Sequence, residues 1–128
     1  VAHGSPPLPA QAVRLDVAMP DGTMRRIVFS GDTGPNLDLG KVGPEPDLMV
    51  HEASSVEALG HDTDATVTIG HVTAATAGRV ATRARARRLA LHHLGSSWSG
   101  NPEAARTEAA MHFAGEIHVP NDLESVEI

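Results

Sequence analysis

The stretch that most constrains this chain is Arg25-Arg26-Ile27-Val28-Phe29, which runs straight into Ser30-Gly31-Asp32-Thr33-Gly34-Pro35. Ile27, Val28 and Phe29 are the β-branched and aromatic side chains of a buried strand, and the Gly/Pro-rich sequence after them stops it abruptly. An aspartate is thereby presented at the carboxyl end of a strand, where α/β sheets keep their ligand sites. The plainer reading is that Asp32 makes an Asx turn or caps the next segment. Histidine usage weighs against that reading. Eight His stand beside two Phe, one Trp and no Tyr, and His is the side chain most used for metal ligation and proton transfer near neutral pH. Several of these histidines also fall at the ends of expected strands.

The elements on either side follow in order. Ala12 to Met19 alternates apolar and polar side chains and Pro20-Asp21-Gly22-Thr23 is a turn, so Met24–Phe29 is expected to return antiparallel as the second arm of a hairpin. Asn36 to Val42 reads as a helical turn or two, ended by Gly43-Pro44-Glu45-Pro46. Asp47 to Ser54 is a second buried strand, and Arg88 to Leu94 a third that ends in His92 and His93. His51 and Glu52 must point to opposite faces of their strand, and Glu52 is expected to be the one sharing a pocket with Asp32.

Residues 55–69 read as a polar loop with a short helix near Val56 to Leu59, and His61, Asp62 and Asp64 in it as solvated surface or function. Thr73 is placed to cap a helix from Ala74 to Ala86, with Arg79, Arg83 and Arg87 on one solvated stripe. Asn101, Pro102 and Glu103 start a second helix that reaches about Phe113. Glu116–Pro120 and Leu123–Ile128 read as two short closing strands. The sum is a mixed α/β architecture.

Composition narrows the functions. Zero cysteines removes disulfides and thiolate zinc sites and leaves His and carboxylates as the strong metal ligands. A net charge of −6 and three aromatic residues argue against a broad nucleic-acid-binding surface. No apolar run is long enough to span a bilayer and no signal segment is evident, so a cytoplasmic setting is expected. The start at Val1-Ala2-His3-Gly4, without an initiator methionine, raises the expectation that a further piece precedes it. By itself His3 reads as a solvated terminal residue.

Four ordered stretches resemble a known family: Ser30-Gly31-Asp32-Thr33, Asp47-Leu48-Met49-Val50-His51-Glu52-Ala53-Ser54, Gly70-His71-Val72-Thr73 and Arg88-Leu89-Ala90-Leu91-His92-His93-Leu94. In that order and spacing they are similar to the second half of the metallo-β-lactamase superfamily, in its ribonuclease Z-like branch. The resemblance implies that residues 1–128 form the C-terminal half of an αββα sandwich. It implies that Asp32 bridges two metal ions, that His93 rather than His92 binds one, and that His3 binds the other. It also implies that Glu52 and His71 move protons, with Asp32 alongside them in the catalytic set. The ions would be Zn²⁺, with Mn²⁺ or Fe as alternatives.

This chain departs from the family at Ser54 and Val72, where threonine and serine are common. The family's His-x-His-x-Asp-His signature belongs upstream of His3 and does not occur in the chain. The implied partner is therefore an N-terminal half in a separate, cleaved or lost chain, with a homodimer also open. The implied function is a dinuclear-metal hydrolase of a phosphodiester, sulfate ester or related small ester. Two alternatives stand beside it. One is a non-catalytic, partner-binding half domain with a vestigial metal site. The other is a tRNA 3′-end nuclease, against which count the acidic balance and the lack of a long basic insertion between His3 and Asp32.

Overall fold

In the computed structural model, the described residues are 2–3, 8–54, 70–94 and 101–128, with side chains described from residue 9 onward. A two-stranded ribbon, β1 (Ala2–His3) and β2 (Leu8–Pro9), leads into a five-stranded sheet. That sheet has the order β3 (Val13–Ala18), β4 (Met24–Phe29), β5 (Leu48–Ala53), β6 (Arg88–Leu94), β7 (Glu116–His118). β3 and β4 form the expected hairpin, and β4, β5, β6 and β7 run parallel to one another. Parallel strands need crossovers, and two of these carry helices: α1 (Ala74–Ala84) between β5 and β6, and α2 (Pro102–Ala110) between β6 and β7. The β4–β5 crossover carries a 3₁₀ turn over Leu37–Lys41. No described helix is long and apolar enough to cross a membrane.

The register explains the core. Val28, Met49, Leu89 and Ile117 lie in one row across the sheet and are buried together with Ala77, Val80, Ala81, Ala105 and Ala109 from the helices. With few aromatics, the layer is packed by small side chains at close range. α1 begins where Thr73 accepts the Thr76 N–H at 3.0 Å and ends at Arg85, which takes left-handed backbone with φ 57°. Glu108 of α2 accepts the Ala75 N–H at 3.0 Å and so ties α2 to the first turn of α1. The row on the opposite face is different: Val13, Leu15 and Val17, aligned with Phe29, Ile27 and Arg25, stay 49%, 45% and 39% exposed.

Four expectations need correction. α1 stops at Ala84, so Arg87 is not on its face; it reaches Asp47 at 3.3 Å instead. Nor is Arg79 merely solvated, since it donates to Thr76 Oγ1 at 2.8 Å and to His112 at 3.1 Å. α2 ends at Ala110, short of Phe113, and residues 123–128 form no strand. There the Glu124 carboxylate accepts the Asn121 N–H at 2.8 Å, and Leu123 turns through φ 68°, conditions a ladder does not tolerate. The loop over 55–69 and the exit loop over 95–100 lie outside the described residues.

Gly78 sits where α1 crosses α2, and a Cβ there would run into the Ala109 carbonyl. Gly78→Ala normally stabilises an isolated helix, but here it is expected to lower unfolding stability by about 1–3 kcal/mol through overpacking. Urea unfolding of the two proteins gives the sign directly, and a stabilised variant would contradict this packing.

Candidate metal-binding and proton-transfer site

The carboxyl ends of β4, β5 and β6 converge with the segment that enters α1. β4 stops because the chain turns at Gly31, whose φ is +61° and where a Cβ would lie 2.8 Å from the Gln11 carbonyl oxygen. Asp32 therefore leaves the sheet and stays half-exposed, while Thr33 beside it is buried. β5 delivers His51 and Glu52 to opposite faces, as alternation requires. His51 follows Met49 onto the helix-covered side and its Nδ1–H donates to the Glu52 carbonyl at 2.9 Å. Glu52 falls on the other side with no solvent exposure.

Glu52 is held from three directions. Oε1 accepts the Thr33 N–H, Oε2 lies 2.7 Å from His71 Nδ1, and the Val72 N–H also donates to the carboxylate. Burial pushes its pKa up to about 7, and the nearby charge of Asp32 adds to the rise; the Thr33 and Val72 N–H groups and His93 pull the other way. His51 is driven down to about 4 by burial, with its backbone bond opposing. It is a neutral imidazole at pH 7.

β6 contributes His93 by an irregularity. The ladder pairs Glu52 with His92 and Ala53 with Leu94, leaving His93 as the extra residue of a bulge, with φ 47°. Bulges re-aim side chains and collect at functional edges. Here the bulge brings His93 Nδ1 to 2.8 Å from Asp32 Oδ1 and sets its ring edge-on to that of His71, centroids 5.3 Å apart. His92 is partly buried and its Nε2 has no hydrogen-bond partner among the described residues. The ligand-capable atoms of Glu52, His71 and His93 all lie within 4.8 Å of one another. Bonds of roughly 2.0–2.2 Å from N and O donors allow one divalent ion to be reached from such a set after small shifts.

Of the residues singled out from the sequence, Asp32, Glu52, His71 and His93 thus meet at one edge. The side chain of His3 lies outside the described residues, as do His61, Asp62 and Asp64. Sequence reading overlooked Ser30 and the Thr33 amide as partners of Glu52; the only hint was a small polar residue closing a buried apolar run.

No protein-family model matches the chain. Ribonuclease Z of Natronomonas pharaonis is 39% identical over 104 residues, 81% of this chain and 33% of that protein. Ribonuclease Z of Myxococcus xanthus is 38% identical over a stretch of the same length and coverage. Among solved structures, the metallo-β-lactamase fold protein YhfI of Bacillus subtilis superposes with a TM-score of 0.63 at 24% identity, over 86% of this chain and 45% of that one. The mixed sheet with its covering helices has the metallo-β-lactamase fold. Over the matched span the chain is similar to these ribonuclease Z proteins, and it spans about a third of the length of the curated relatives it matches.

The two shifted buried groups act on stability with opposite signs. Glu52 holds its proton longer when folded, so its effect on stability becomes adverse as pH rises from 4.5 through about 7. His51 resists protonation when folded, so stability is lost as pH falls from 6.5 towards about 4. His92, also pushed down by burial, adds to the loss at low pH, so Glu52→Gln is expected to steepen the rise of stability with pH in the metal-free protein. Urea midpoints measured at steps across that window test this; parallel curves for the two proteins would contradict the assignment.

Proposed function

We propose that this chain carries part of the active site of a divalent-metal-dependent hydrolase that cleaves phosphodiesters. The observation that carries this reading is the convergence of Asp32 and His93 beside the buried Glu52–His71 pair. Asp32 and His93 are the ligands, half-exposed at the rim, with an oxygen and an imidazole nitrogen suited to zinc or manganese. A bound dinuclear centre would supply a water of lowered pKa for attack on phosphorus. His71, gripped at Nδ1 by Glu52, is oriented to hand a proton to the departing oxygen through its other ring nitrogen. Glu52 sets that orientation and stabilises the imidazolium when it forms.

The remaining ligands come from a segment outside these residues. The exposed row of Val13, Leu15 and Val17 supports this, because Glu52 lies on that same face by alternation. A layer laid over the face would reach the rim of the site. The similarity to ribonuclease Z favours RNA over a small ester as the substrate, while the net charge of −6 puts any extended RNA contact on that other segment.

In the complete protein, Asp32→Ala and His93→Ala are expected to lose zinc, read by mass spectrometry of the metal content. They should also lower turnover of a phosphodiester such as bis(p-nitrophenyl) phosphate by at least about a hundredfold, with circular dichroism unchanged. Chelation should abolish the wild-type rate and added Zn²⁺ or Mn²⁺ restore it. Wild-type protein that takes up no metal and turns over no phosphodiester or RNA would leave a partner-binding module instead.

A further inference from the structure

We infer that Ser30 is a positioning residue, whose one hydroxyl fixes the Asp32 turn against the Glu52 strand. Its side chain is buried and makes two bonds: Oγ donates to the Gly31 carbonyl at 2.7 Å and accepts the Glu52 N–H at 3.1 Å. The main chain explains why a hydroxyl is needed there. In the parallel ladder, the Ser30 N–H donates to the Val50 carbonyl at 2.9 Å, and the next slanted bond should run from the Glu52 N–H back to β4. At Gly31, however, the chain has turned away. Ser30 Oγ takes the place of the missing main-chain acceptor, so the ladder is closed by a side chain while the backbone is released to carry Asp32 outward.

The same hydroxyl holds the carbonyl one residue before Asp32 and the amide of Glu52. Thr33, one residue after Asp32, donates its own N–H to the Glu52 carboxylate. The turn and the Glu52 strand are therefore clasped twice, once through Ser30 and once through Thr33. Removing the hydroxyl leaves the buried Glu52 N–H without an acceptor, an outcome that proteins relieve by shifting the backbone. A shift at Glu52 moves the carboxylate that orients His71. Alanine deletes both bonds, whereas threonine keeps an oxygen at the same position.

This assignment rests on the functional reading above for its consequence, but its geometry can be tested without activity. Amide exchange in the protein would be followed by NMR for wild type, Ser30→Ala and Ser30→Thr. Ser30→Ala is expected to speed exchange at Glu52 and Thr33 by about tenfold or more, with the β6–β7 amides within about twofold, and Ser30→Thr to restore most of the protection. Equal exchange at Glu52 in wild type and Ser30→Ala would overturn the assignment, and so would a uniform acceleration across the sheet. In the complete protein, Ser30→Ala should lower kcat by about tenfold with little change in KM, and add nothing further to Glu52→Gln. Additive losses would mean that Ser30 does not act through Glu52. If exchange behaves as expected but metal uptake and turnover are absent in the wild type, the hydrolase reading fails while the clasp stands.

Discussion

A carboxylate shut away from water has to be supplied with donors by its own chain, and Glu52 imposes that requirement on three separate segments at once. The turn after β4 brings the Thr33 amide, the segment entering α1 brings His71 and the Val72 amide, and β5 brings the carboxylate itself. If any of these moves, a buried charge is left under-solvated, which costs more than the lost contact is worth. The arrangement therefore locks the edge of the sheet in one geometry. It also keeps the Glu52 pKa high, because burial outweighs the hydrogen bonds that favour the ionised form.

Around that locked edge the molecule is built asymmetrically. One face of the sheet is sealed by alanine-rich helices that approach closely, as at Gly78 and Ala109. On the other, Val13, Leu15 and Val17 of the edge strand β3 are about half-exposed, while Leu48, Ala90 and Glu52 on that face are buried. Glu52 falls on that second side and His51 on the sealed side, so the pair of adjacent ionisable residues is divided between the candidate site and the packed core. His51 is kept neutral by burial and spends its proton on the Glu52 carbonyl. The proposed completion of the site from outside this chain follows from the same asymmetry.

Much of the architecture was readable in one dimension because short-range rules decide it. The hairpin over Val13–Phe29, the buried strands that end in ionisable residues, and the Thr73 and Asn101 caps all came from alternation, turn residues and capping chemistry. Two stretches depart from those rules, one where a distant partner intervenes and one where a local bond does. The sequence puts Arg87 on a helical stripe because an alanine- and arginine-rich run carries no stop signal, yet Arg85 goes left-handed and Asp47 claims Arg87. Leu123 to Ile128 alternates like a strand, but a local Asn121–Glu124 bond bends it out of any ladder.

From the sequence alone came the chemistry available to the site: no thiols, an excess of imidazole, and an aspartate placed by glycine at the end of a buried strand. Side-chain alternation also dictated that His51 and Glu52 could not share a face. The tertiary structure alone decided who meets whom. His93, not His92, reaches Asp32 because an extra residue in β6 reverses which side chain faces the edge, and a bulge depends on what the neighbouring strands require rather than on local preference. Glu52 and His71 meet across nineteen positions of sequence because the parallel register and the capped start of α1 bring them level. Local propensities fix where a strand or helix begins; only packing against the rest of the sheet sets the ångström-scale offsets on which a shared proton or a shared ion depends.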